Sequence, residues 1–134
     1  MSKVKAIDHI AVLVDDMEKS LSFWRDALGM ELHELRDVPA EKSQVAFLPL
    51  AGSEIELVKP TSDDSGIAKY LAKRGPGMHH ICVEVDDIKG MLVQLKSKGI
   101  RLINEEPHIA ADGKKYAFVH PESTSGVLVE LYQI

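Results

Sequence analysis

A chain of 134 residues, 45% apolar and 28% charged, suits one compact domain or two small modules sharing a core. Its net charge of −5 offers nucleic acid or an anionic membrane no electrostatic hold, and no apolar run approaches the roughly 20 residues of a membrane span. The lone Cys82 excludes an intrachain disulfide and fits a reducing cytoplasm, and the Met1-Ser2-Lys3-Val4-Lys5 start carries no signal-type apolar segment.

Lys5 to Val14 alternates as a strand does, with Ile10, Val12 and Val14 on one face and His9, Ala11 and Leu13 on the other. Asp15-x-x-Glu18 resembles a capping box, and the helix after it carries an apolar stripe of Leu21, Trp24 and Leu28 before Gly29 ends it. Strands are predicted over Met30–Asp37, Ser43–Leu50 and Glu54–Lys59, the last with Glu54 and Glu56 on one face. A linker leads to a short helix over Ile67–Lys73. The order then repeats: strand His79–Val85, helix Ile88–Lys98, and strands Ile100–Glu105, Lys114–His120 and Gly126–Tyr132. The expected fold is α+β, two tandem βαβββ modules (about 4–60 and 77–134, with a linker helix in 61–76) in a single domain over 1–134. Each helix is expected to cover the Ile10/Val12/Val14 or the Ile81/Val83/Val85 face.

The duplication is visible in the residues. Ile7-Asp8-His9-Ile10-Ala11-Val12-Leu13-Val14-Asp15-Asp16 is echoed by Met78-His79-His80-Ile81-Cys82-Val83-Glu84-Val85-Asp86-Asp87, and Ile55-Glu56-Leu57 by Val129-Glu130-Leu131. His9 precedes Glu56 by 47 residues and His80 precedes Glu130 by 50. Each half therefore offers one imidazole from its first strand and one carboxylate from its last, on the face away from its helix. Two imidazoles and two carboxylates suit a divalent ion such as Zn, Co, Mn, Ni or Fe. A lone strand histidine is ordinarily a satisfied polar residue, but two carboxylates facing a cavity need cations. The expected metal ligands are His9, Glu56, His80 and Glu130, converging in a central cavity.

Other residues receive smaller roles. His79 points away from His80 along its strand and suits a strand-end position. Cys82 corresponds to Ala11 and reads as a small filler. The Asp15-Asp16 and Asp86-Asp87 pairs are explained by helix capping. Gln44 and Lys115 occupy matched positions, read as facing the cavity, where either would orient a substrate carbonyl or carboxylate, and Glu84 falls on the cavity side as a possible acid/base group.

On these residues the chain resembles the vicinal-oxygen-chelate superfamily, whose glyoxalase-type domains build a curved mixed sheet around a divalent metal. Within it, Ile7-Asp8-His9-Ile10-Ala11, Gly77-Met78-His79-His80-Ile81-Cys82 and His120-Pro121 followed by Gly126-Val127-Leu128-Val129-Glu130-Leu131 are similar to the methylmalonyl-CoA epimerase family. The resemblance implies a divalent metal (Co, Zn, Mn or Ni), an acyl-CoA substrate epimerised at the carbon α to its thioester, and a homodimer. Some epimerases of that family carry a glutamate base on the third strand of the first half. The matching position is read as Gln44, which takes no proton at neutral pH, so Glu130 becomes the first candidate for acid/base work and Glu84 the second. A glyoxalase I-type lactoylglutathione lyase and a non-catalytic small-molecule binding or resistance protein on the same fold are the alternatives.

Overall fold

The computed structural model describes residues 1–134. Packing divides them into two units, Ile10–His79 and Met1–His9 with His80–Ile134. The division falls inside the first strand, β1 (Val4–Leu13), because its two ends have different neighbours.

In the Ile10–His79 unit the strand order is β2 (Glu34–Val38), β3 (Ser43–Leu50), β4 (Ser53–Pro60), then the end of β1. β2, β3 and β4 run antiparallel, and β1 joins β4 in parallel, with Ala11 opposite Glu56 and Val12 opposite Leu57. Val14, Met17, Leu21, Ala46, Leu48 and Leu57 form the core under the first helix, with Val12 and Ile55 packed against it. Removing any large member of such a core typically costs ~2–5 kcal/mol.

The first helix, α1 (Met17–Leu21), continues directly as a wider π-type turn over Ser22–Ala27. Its cap is Asp16, whose carboxylate accepts from the Lys19 amide at 3.1 Å, and not the expected Asp15. The wider turn also alters the predicted stripe. The Leu28 amide donates to Phe23 O, five residues back, so the helical phase slips after Leu21. Leu21 is fully buried and Trp24 packs on the core, but Leu28 is 56% exposed. The linker helix, α2 (Gly66–Arg74), is capped by the Ser65 hydroxyl.

The second unit orders β5 (Gly77–Val85), β8 (Leu128–Gln133), β7 (Lys115–Val119) and β6 (His108–Ile109). β5 and β8 are parallel, and the other neighbours antiparallel. Its helix, α3 (Ile88–Ser97), packs Ile88, Met91 and Leu92 on Val85, Ala117, Val119 and Leu131. Here too the second aspartate of the Val-Asp-Asp motif caps: Asp87 accepts from the Gly90 amide at 3.1 Å, and a Cβ on Gly90 would collide with that carboxylate. Both units thus have the predicted βαβββ order.

The expected strand over Ile100–Glu105 does not form. Leu102 makes one isolated bridge to Val119, and the edge strand is the two-residue β6 further on. Asn104 explains the break: its side-chain oxygen accepts from the Phe118 amide at 2.8 Å, taking a hydrogen bond that a strand partner would otherwise supply. Across the whole chain, no helix is long and apolar enough to cross a membrane.

Candidate metal centre

Strand alternation sends His9 to the face of β1 that is not under α1. In the second unit it sends His80, Cys82 and Glu84 of β5 to the same face as Leu128, Glu130 and Tyr132 of β8, since Cys82 registers with Glu130 and Glu84 with Tyr132. On β7, Phe118 registers with Glu130 and Tyr116 with Tyr132. All of these leave the sheet on the side opposite the α3 core.

Three of the expected ligands meet there. His9 Nε2 lies 3.1 Å from His80 Nε2 and 3.5 Å from Glu130 Oε1, and His80 Nε2 lies 3.1 Å from that same oxygen. Two ligand atoms each ~2.1 Å from one ion are about 3.0 Å apart at a right angle and about 3.4 Å apart at a tetrahedral angle. The three separations fall on that scale, and the donor set of two imidazoles and a carboxylate suits a borderline divalent ion. The residues present therefore fit the group. The side chains are 11%, 14% and 13% exposed, sheltered enough for charge to matter and open enough for a small molecule to reach them.

Asp8 is a member of the site that sequence reasoning missed. Its Oδ2 sits 2.8 Å from His9 Nδ1, so Nδ1 donates to the carboxylate and Nε2 is turned to the other imidazole and Glu130. The sequence signal was available, an aspartate directly before a ligand-type histidine, but adjacent strand residues are ordinarily read as facing opposite ways. His80 has no such neighbour in sequence. The residue before it, His79, packs edge-on against Tyr70 of α2 at 4.8 Å, while the His80 ring meets Phe118 at 5.9 Å.

Burial pushes the Glu130 carboxyl up, but hydrogen bonding to His80 and His9, and their charge, outweigh it and hold it down at about 2. It is a carboxylate throughout the neutral range. Burial pushes the Cys82 thiol up to about 12, so in the absence of a metal it stays protonated, and its sulfur lies within 4.8 Å of ligand atoms of Asp8 and His9.

The remaining expected residues lie elsewhere. Glu56 is on β4 in the other unit, in register with Ala11 and Phe47, and so on the face away from the α1 core. Gln44 alternates with Ala46 and Leu48, both buried in that core, so it belongs to the helix-covered side and not to the expected cavity face. Lys115 repeats the correction, sharing its face with Ala117 and Val119 under α3. The two positions do match; the face was misjudged, because the apolar partners of the same parity belong to the helix side. Glu84 is on the predicted face, but one full strand period beyond the triad, where its carboxylate meets Lys5 Nζ at 3.1 Å. An open cavity of about 520 Å³ in the Ile10–His79 unit is lined by Asp15, Lys59, Thr61, Ser62 and Leu71, among others, and by no expected site residue.

Comparison with known proteins agrees with the geometry. Residues 8–118 match the Glyoxalase/Bleomycin resistance protein/Dioxygenase superfamily. The mitochondrial methylmalonyl-CoA epimerase of Mus musculus is 42% identical over 98% of this chain and 74% of its own length. The ethylmalonyl-CoA/methylmalonyl-CoA epimerase of Cereibacter sphaeroides is 39% identical, covering 96% of this chain and 97% of its own. Among solved structures, a Streptomyces coelicolor methylmalonyl-CoA epimerase variant in complex with 2-nitronate-propionyl-CoA superposes with a TM-score of 0.84 at 31% identity, over 98% of this chain and 95% of that one. The chain has the glyoxalase-type fold and belongs to the glyoxalase/bleomycin resistance protein/dioxygenase superfamily and, within it, to the methylmalonyl-CoA epimerase family.

Proposed function

We propose that this protein is an isomerase that epimerises methylmalonyl-CoA at the carbon between its thioester and its carboxylate. The observation that carries the reading is the convergence of His9 Nε2, His80 Nε2 and Glu130 Oε1 within 3.1–3.5 Å of one another, in a chain whose relatives bear that activity in their names. We assign His9, His80 and Glu130 as ligands of a divalent ion (Co, Zn, Mn or Ni), with Glu56 as the fourth. A divalent ion, when bound, supplies Lewis acidity for the negative charge that develops on the substrate oxygens as the α-proton leaves.

The chain's own residues divide the remaining work. Asp8 fixes the orientation of His9, so that its Nε2 faces His80 and Glu130. Phe118 packs edge-on against the His80 ring and helps to hold its orientation. The three residues expected to move protons fare differently. Gln44 takes no proton and belongs to the helix-covered side. Glu84 is engaged by Lys5. Glu130 touches both imidazoles and is the group we assign to take and return the α-proton, in addition to its part in holding the ion.

A homodimer is part of the same reading, supported by apolar side chains left open on both edge strands, Leu35 on β2 and Ile109 on β6. The buried thiol of a lone cysteine is consistent with the cytoplasm.

The test is a choice of substrate. Metal-reconstituted protein is given a single epimer of methylmalonyl-CoA, and separately the hemithioacetal of glutathione and methylglyoxal, each with a chelated control. Appearance of the other epimer, lost on chelation, supports the reading. Turnover of the hemithioacetal alone replaces it with a lactoylglutathione lyase, and ligand binding with neither turnover nor metal replaces it with a binding protein.

A further inference from the structure

The two Val-Asp-Asp motifs differ in what their first aspartate holds. In both copies the second aspartate caps the helix, Asp16 for α1 and Asp87 for α3. In the second copy Asp86 Oδ1 accepts from the Lys3 amide at 2.9 Å and from the Ser2 hydroxyl at 2.8 Å. Those two donors hold its carboxyl below the usual carboxylate range. In the first copy Asp15 stands at the matching position, makes no hydrogen bond to the protein, and lines the open cavity of about 520 Å³ in the Ile10–His79 unit. One position of the repeat thus receives N–H and O–H donors in one copy and opens on a cavity in the other.

The cavity's other charges are of both signs and equally unengaged. Lys59, half-buried on β4, and Asp63, in the linker before α2, line it together with Asp15, and no ion pair joins the lysine to either acid. The linker is tied down beside them. The Thr61 amide donates to Lys42 O at 2.8 Å, while Asp64 accepts from Lys42 Nζ at 3.1 Å and from the Ser62 hydroxyl at 2.7 Å. It is Asp64, and not the cavity-lining Asp63, that takes a lysine of the chain. The remaining wall is apolar: Ala68, Leu71 and Ala72, at i, i+3 and i+4, form one face of α2.

We propose that this cavity binds a free α-amino acid with an apolar side chain. The ammonium takes the place at Asp15 that the Lys3 amide and Ser2 hydroxyl take at Asp86, with Asp63 as a second acceptor. The carboxylate pairs with Lys59, and the side chain lies on Ala68, Leu71 and Ala72. A ligand of one charge suits only half of this lining, since an anion meets two carboxylates and a cation meets Lys59. A zwitterion suits both halves, and charge-assisted bonds of about 2.8 Å at each end bridge groups that do not reach each other. Pockets of ~300–1,000 Å³ with apolar walls and a few polar anchors are the usual size for a small ligand, so the volume fits. The site joins the residues that follow β1 and end β4, the strands that carry His9 and Glu56. It stands independently of the epimerase reading.

The test is equilibrium dialysis of labelled leucine against the full chain. Leucinamide, which lacks the carboxylate, and isocaproate, which lacks the ammonium, serve as competitors. Leucine is expected to fill one saturable site per chain, with either competitor weaker by about tenfold or more, because each omits one charge-assisted contact. Lys59→Gln and Asp15→Asn are each expected to weaken leucine by about tenfold or more, and Ala68→Met, which fills the apolar wall, to abolish binding. Asp16 still caps α1 in Asp15→Asn, and far-UV circular dichroism checks that each variant is folded. Asp86→Asn, the matched change in the second copy, is expected to leave leucine affinity within about twofold. No saturable binding of leucine by the native chain would overturn the proposal. So would equal displacement by leucinamide or isocaproate, or binding that survives both Lys59→Gln and Asp15→Asn.

Discussion

The two copies of the opening motif end in the same histidine and treat it differently. In the first, Asp8 precedes His9 and holds its Nδ1 at 2.8 Å, so the imidazole presents a fixed nitrogen. In the second, His79 precedes His80, turns to Tyr70 of the linker helix, and leaves the His80 ring packed against Phe118. The repeat places both imidazoles against Glu130, and the residue before each differs: a carboxylate on His9 Nδ1 in the first copy, a histidine turned to Tyr70 in the second. The proposed ligands are symmetric and their support is asymmetric, and perturbing each copy should reveal the difference.

The largest effects are expected from the ligands, where the copies are equal. His9→Ala and His80→Ala should each weaken metal retention by well over the ~100-fold upper range for a supporting residue, as measured by metal content after dialysis, with far-UV circular dichroism unchanged. A His80→Ala protein that kept its metal would remove the second copy from the site. Next comes the support. Asp8→Asn should cost ~10–100-fold in metal affinity, read by competition with a chromophoric chelator, because the amide no longer fixes the Nδ1 proton. An affinity unchanged by Asp8→Asn would mean that the two histidines are held alike after all.

Glu130 sharpens the comparison through pH, since it serves both imidazoles. Its carboxyl is lowered from 4.5 to about 2, so its contribution to stability is present above pH 4.5 and lost as the pH falls through about 2. In metal-free protein the melting-temperature gap between the native chain and Glu130→Gln should stay level above pH 4.5 and close toward pH 2; a gap that widened on acidification would reverse the sign of the shift. The smallest effect belongs to His79→Ala. It should leave metal content within about twofold and cost only the ~0.5–1.5 kcal/mol of an edge-on aromatic pair, seen as a small drop in melting temperature.

Much of this architecture was legible because alternation and punctuation agree. β3 occupies Ser43–Leu50 and α3 begins at Ile88, as the sequence predicts, and the triad residues His9, His80 and Glu130 follow from strand parity and the repeat. Parity alone does not say which face a helix covers, and there Gln44 and Lys115 were misplaced. Ala46 and Leu48, or Ala117 and Val119, decide the matter once their burial is known. Local patterns also failed where a side chain competes with the backbone. Asn104 claims the Phe118 amide and ends the apparent Ile100–Glu105 strand, and the π-type turn after Leu21 rotates Leu28 out of its stripe. Asp8 was hidden for a related reason: its role lies in a contact between sequence neighbours, which periodicity treats as facing apart.

The central claim is that one divalent ion held by His9, His80 and Glu130 serves removal of the proton α to a CoA thioester. Deuterium uptake tests it most directly. Metal-loaded protein and methylmalonyl-CoA are incubated in heavy water and the thioester is followed by mass spectrometry, with chelated and re-metallated controls. The account predicts one deuterium at the α-carbon, abolished by the chelator and restored by the metal. No uptake by protein carrying one ion per chain, or uptake that survives chelation, would contradict it.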